Sequence, residues 1–228
     1  MSPTRKPILR VQDEDHLIHA LREACVLEQE LEDHKILLSQ KQDFNLFDAF
    51  NIFDIDRRGA ISVTELQVGL NAIGVYPTFD ECQLLMARYD KSRDGRLSFL
   101  EFQQMLLPLD AYYSSMVQRR GTNYVPRLAN RLDIFVPHTQ AEFQSIWRTH
   151  LRVENASEAM RQSLNANPAF NAYEAFNCLD LNDSGSVTAA EMQRMLESRG
   201  FFVGVRAAEV LIGKFDKKGN GRVTFEEF

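Results

Sequence analysis

Four windows of the sequence place oxygen-bearing side chains at one recurring spacing. The first runs Asp54, Asp56, Arg58, Gly59, Ser62, Glu65, and the second Asp90, Ser92, Asp94, Gly95, Ser98, Glu101. The third runs Asp180, Asn182, Ser184, Gly185, Thr188, Glu191, and the fourth Asp216, Lys218, Asn220, Gly221, Thr224, Glu227. With each opening aspartate as position 1, side-chain donors are expected at 1, 3, 5 and 9, a glutamate at 12 and a glycine at 6. Hard oxygens wrapped in that order suit a calcium ion. The glutamate supplies two oxygens, position 7 supplies a backbone carbonyl, and the glycine permits the sharp turn. One such window is modest evidence, because Asp, Gly and Glu are common in turns and at helix starts. Four in the same frame, with paired windows opening 36 residues apart at Asp54 and Asp90 and again at Asp180 and Asp216, are not chance.

The donor sets are unequal. Loop two satisfies every side-chain position with Asp90, Ser92, Asp94, Ser98 and Glu101, and Arg96 supplies the carbonyl. Loop three offers Asp180, Asn182, Ser184, Thr188 and Glu191 with the carbonyl of Ser186, and its fewer carboxylates predict the weaker site. Loop one carries Arg58 at position 5, and loop four carries Lys218 at position 3. A fixed positive charge within ~4 Å of a dication repels it by several kcal/mol, unless the long side chain swings into solvent. The expectation is therefore two calcium ions, at loops two and three, with loops one and four empty but folded. Position 8 holds Ile61, Leu97, Val187 and Val223, the apolar residues that pair loops through a short antiparallel bridge.

Helices must hold these loops. Phe50 and Phe53, and Phe176 and Leu179, supply apolar spacing on entering helices; Leu66, Leu70 and Ile73, and Met192, Met195 and Leu196, do so on exit helices. Gly74 and Gly200 stop the exit helices at matching offsets, and Thr78 with Glu81 reads as a capping-box start. Met86, Met105 and the phenylalanines read as lobe core. This pattern resembles the EF-hand superfamily of calmodulin, troponin C and centrin. The resemblance implies a mainly α fold of two EF-hand pair lobes, with two-residue β bridges between paired loops. It departs in having extra sequence before each pair and a long connector.

The 126-residue offset between Asp54 and Asp180 extends upstream: Leu17 matches Phe143, Leu21 matches Trp147, Arg22 matches Arg148, Glu28 matches Glu154, Glu32 matches Glu158 and Leu38 matches Leu164. The repeat unit is thus a leader helix plus a pair of loops. Leu17, Leu21, Leu31 and Leu38 stripe the first leader; Phe143, Ile146, Trp147, Leu151 and Leu164 stripe the second, which opens with a capping box at Thr139 and Glu142. A leader can lie in the groove of its own lobe or join a coiled coil; the stripes break too soon for sustained heptads, which favours its own lobe. The paired acids Glu28 and Glu32, and Glu154 and Glu158, read as solvated faces. The expected divisions are a basic arm at 1–12, leader and pair at 13–108, a connector at 109–138, and leader and pair at 139–228 with the last exit helix missing after Glu227. In the connector, Arg119, Arg120, Arg127 and Arg131 read either as plain linker or as a docking strip for an acidic partner.

The net charge of −6 argues against nucleic acid as a partner. Three widely spaced cysteines, no signal-peptide core and no second-position glycine point to a reduced, cytoplasmic protein without membrane insertion. Five scattered histidines and no nucleophile or phosphate-loop motif give no enzyme. Two functions compete. One is a calmodulin-like sensor whose loaded lobe takes a target helix. The other is a structural scaffold, favoured by the damaged loops and the leaders. The leader-plus-pair repeat also resembles EF-hand proteins of ciliary axonemes, which implies tubulin and neighbouring filament proteins as partners and a cytoskeletal setting.

Overall fold

The computed structural model describes residues 9–122 and 133–228. The described chain is mainly α and divides into two compact units, one of residues 30–155 and one of residues 1–29 with 156–228. Arg127 and Arg131 lie outside the described residues.

In the 30–155 unit, α2 (Leu46–Phe53) and α3 (Val63–Ala72) flank loop one, and α4 (Phe79–Tyr89) and α5 (Phe99–Leu106) flank loop two, after a leading helix α1 (Val11–Ser39). Asn45 caps α2 by accepting a hydrogen bond from the Asp48 backbone N–H, and Thr78 and Glu81 form the expected capping box on α4. Gly74, at φ +83°, ends the α3 turn, where the Val75 N–H returns to the Leu70 carbonyl as in a Schellman motif. The loops meet through β1 (Ala60–Ser62) and β2 (Arg96–Ser98), antiparallel with Ile61 opposite Leu97; each bridge is three residues long rather than two. Both central residues are fully buried. Part of the expected connector is helical: α6 (Ala111–Gln118) starts at the cap Asp110.

The other unit repeats this plan. α8 (Ala172–Leu179) and α9 (Ala189–Ser198) flank loop three, α10 (Val205–Phe215) enters loop four, and β3 (Ser186–Thr188) pairs with β4 (Arg222–Thr224) at Val187 and Val223.

The second leader, α7 (Pro137–Asn165), starts two residues before the expected cap. Proline suits the first helical turn, since its missing N–H costs nothing there. Thr139 is thereby freed from capping and donates instead to Asp43, at 2.6 Å, while Glu142 meets His34 at 2.7 Å.

The docking of the leaders corrects the sequence expectation. Within the 30–155 unit, the buried Phe143 and Trp147 of α7 pack on Phe53 and Phe102, so the second leader lies on the first pair of loops. Within the other unit, Leu17, Ile18, Leu21 and Cys25 of α1 share a core with Phe176, Leu179, Met192 and Leu196, so the first leader lies on the second pair. The C-terminal parts remain with their own pairs: Leu164 packs on that same core, and Glu32 accepts from the Leu109 N–H at 2.8 Å. Both leaders are unbroken 29-residue helices. At 1.5 Å per residue, Leu21 stands about 27 Å from the Ser39 end of α1, and Trp147 stands as far from the Asn165 end of α7. A helix without a break cannot fold its far half back onto the lobe that follows it.

Candidate metal centres

All four loops adopt one backbone. Position 4 is left-handed in each, at Arg57, Arg93, Asp183 and Gly219, and so is the position-6 glycine, at φ between +73° and +79°. A Cβ at those glycines would meet nothing within 4 Å, so the dihedral and not space selects glycine there. In each loop the glycine N–H donates to the opening aspartate: Gly59 to Asp54 at 3.0 Å, Gly95 to Asp90 at 2.8 Å, Gly185 to Asp180 at 2.8 Å and Gly221 to Asp216 at 2.6 Å. Loops one and four therefore keep the frame despite Arg58 and Lys218.

Positions 9 and 12 do double work. Ser62 with Glu65, Ser98 with Glu101, and Thr188 with Glu191 are the capping boxes of α3, α5 and α9, so the residues that offer donors also start the exit helices. One glutamate oxygen is held by the position-9 hydroxyl in every loop, at 2.7 or 2.8 Å. The other oxygen differs between the pairs. In loops one and two it accepts the position-3 N–H, from Asp56 at 3.2 Å and from Ser92 at 3.0 Å. In loops three and four, Oε1 of Glu191 and of Glu227 is buried without a hydrogen-bond partner among the described residues, as is Oδ1 of Asp216. A buried carboxylate oxygen with no donor is costly; in loop three a cation would satisfy it, whereas in loop four the charge of Lys218 already lies near Glu227. The donor sets of loops two and three fit calcium.

Electrostatics agree with ionised loops. Burial pushes the Glu65 and Glu101 carboxyls up, but hydrogen bonds from Ser62 and Asp56, and from Ser98 and Ser92, outweigh it and hold both below the ordinary value. The Glu227 carboxyl is lowered by the Thr224 backbone and hydroxyl, helped by the nearby charge of Lys218.

The structure brings Asp54, Asp56 and Glu65 of loop one together, with ligand atoms within 4.8 Å of one another. Arg58 is largely exposed and turned back onto Asp56, Nε to Oδ2 at 3.0 Å. In loop two Asp94 accepts from the Arg96 N–H at 2.8 Å, while Asp90 and Glu101 hold the loop. In loop three Ser184 donates to the Ser186 carbonyl at 2.9 Å, and its N–H donates to Asn182 at 2.9 Å. Arg120 is not a free docking residue: its guanidinium donates to the carbonyls of Lys41, Phe44 and Ser39 at 2.5, 3.0 and 2.7 Å, which ties up the C-terminal end of α1. Arg119 is exposed at the end of α6. Glu28 and Glu154, expected on solvated faces, are buried in ion pairs with Lys214 at 2.8 Å and Arg88 at 2.6 Å. Periodicity alone could not reveal those partners.

A family model described as an EF-hand domain pair matches residues 43–107 and 170–228, more than half of the chain. The chain belongs to the EF-hand superfamily. Among its relatives, Centrin-3 of Homo sapiens is 22% identical over 209 residues, covering 92% of this chain and 93% of the relative. The probable calcium-binding protein CML30 of Oryza sativa subsp. japonica is 28% identical over 192 residues, covering 82% and 71%. A shorter match, to the probable calcium-binding protein CML25 of Arabidopsis thaliana, is 40% identical over 62 residues, or 27% of this chain and 33% of the relative. The matched blocks of this EF-hand protein contain all four loops and exclude both leader helices. No described helix is long and apolar enough to cross a membrane.

Proposed function

We propose that this EF-hand protein is a calcium-binding scaffold whose lobes are closed by its own leader helices. The carrying observation is Trp147, fully buried on Phe53 and Phe102, where a calmodulin-like sensor would keep a groove for a target helix. A groove filled by the chain itself favours a fixed module over a capture device. Calcium sits at loop two, through Asp90, Ser92, Asp94, Ser98, Glu101 and the Arg96 carbonyl. It also sits at loop three, through Asp180, Asn182, Ser184, Thr188, Glu191 and the Ser186 carbonyl. Loop four has Lys218 in place of a donor, and in loop one the Arg58 pair competes for Asp56. The assembly we favour is a tubulin-based filament such as the ciliary axoneme, on the resemblance of the leader-plus-pair repeat and on exposed Arg119. Calorimetry should give two ions per chain, lost stepwise in Glu101→Gln and Glu191→Gln, and the protein should co-sediment with microtubules at low salt. A third ion, removed by Glu65→Gln, is the outcome the gathered carboxylates of loop one would produce, and it would overturn the assignment of two. Calcium-dependent capture of amphipathic helices with Trp147 displaced would favour the sensor.

A further inference from the structure

The leader touches the first EF-hand pair beside its calcium loops. Phe53 immediately precedes Asp54 and Phe102 immediately follows Glu101, and both carry the Trp147 ring, with centroids at 5.0 and 6.0 Å. Seven residues further along α7, Glu154 pairs at 2.6 Å with Arg88, in the last turn of α4 two residues before Asp90 opens loop two. Both side chains are nearly buried, at 9% and 13% exposure. The same device recurs in the other unit, where Glu28 of α1 pairs at 2.8 Å with Lys214, two residues before Asp216 opens loop four. A buried, oppositely charged pair thus recurs at the 126-residue offset, with lysine in one copy and arginine in the other.

We propose that the docked leader sets the calcium affinity of the pair it covers, with Glu154 as a positioning residue that ties the leader to the helix entering loop two. The inference rests on the calcium-binding reading of loop two. Loading a sensor-type pair moves its helices apart and exposes apolar groove. Here the leader already covers that groove, so the exposure that opposes loading is removed in advance. Because binding free energies are linked, calcium must strengthen leader docking by the same factor as the leader strengthens calcium.

The test uses the full chain, calcium alone as ligand, and Trp147, the single tryptophan, as an independent reporter of docking. Glu154→Gln and Arg88→Gln should each weaken calcium binding by about fivefold or more and shift Trp147 emission towards that of a wetted indole. The double variant should be weakened by less than the sum of the two singles, because both remove the same ion pair, while the Arg88 stack on Tyr89 is lost only with Arg88. If glutamine leaves the leader seated, Glu154→Lys sets two cations face to face and must release it. Glu158→Gln, on a half-buried carboxylate paired with Arg161 on its own helix, should leave affinity unchanged. Released emission with unaltered calcium affinity overturns the coupling and leaves the calcium reading intact. Calcium binding that is the same in the Glu101→Gln variant as in the unsubstituted chain overturns the reading of loop two itself.

Discussion

Replacing Trp147 with alanine separates the two ways a leader can dock. The indole is fully buried, with ring centroids 5.0 Å from Phe53, 5.7 Å from His150, 5.8 Å from Phe143 and 6.0 Å from Phe102. Truncating a buried tryptophan costs about 3–5 kcal/mol, and aromatic pairs of this kind add about 0.5–1.5 kcal/mol each beyond area. The indole N–H has no partner among the described residues, so no hydrogen-bond loss adds to the cost. Taking 3–5 kcal/mol, opening of the affected elements should rise by roughly two to four orders of magnitude. Hydrogen exchange read by mass spectrometry on the full chain locates the loss. Peptides from α2 to α5 should lose protection, and peptides from α8 to α10 should keep it. Protection lost in α8 to α10 and retained in α2 to α5 would show the second leader on its own pair, and the exchanged docking would be refuted.

Two further outcomes follow from single contacts. Arg120→Gln removes a guanidinium shared by three carbonyls and should destabilise the protein by about 2 kcal/mol in urea unfolding, whereas exposed Arg119→Gln should change it by less than about 0.5 kcal/mol. Equal, negligible effects would return Arg120 to a surface role. The second concerns pH. The Glu65 and Glu101 carboxyls are held below their ordinary value of 4.5, so their contribution is fully present above that pH and is lost as pH falls through the lower folded values. Urea midpoints should therefore drop below about pH 4.5 in calcium-free buffer, and the acid limb should be shallower in Glu101→Gln.

The loops were legible because each carries its chemistry in a fixed frame. Asp at 1, Gly at 6 and Glu at 12 each answer a local demand, a hydrogen-bonded turn, a left-handed dihedral and a capping box, and local demands are written in neighbouring residues. The hydrophobic stripes on the leaders were equally readable, as was their equal distance from the loops. What they cover was not. Leu21 and Trp147 stand at matched offsets, and each pair presents an equivalent apolar floor and an equivalent cation, Lys214 or Arg88. Docking on the own pair and docking on the other therefore satisfy the same pattern. Helix continuity decides between them, and both leaders run unbroken over 29 residues.

Continuity also bears on which function the fold suits. A target-binding lobe must leave its groove available, and the cheapest way to keep it available is a short linker between pairs. Here a long helix precedes each pair, its far half buried on aromatic or aliphatic core and anchored by a buried ion pair. Breaking a buried ion pair by removing one partner typically costs about 3–5 kcal/mol, so the leader is not a loosely held plug. An incoming helix would have to displace both the apolar stripe and the ion pair before gaining any contact of its own. On the proposed coupling, calcium bound under such a lid would act on the strength of the lid rather than on an open groove.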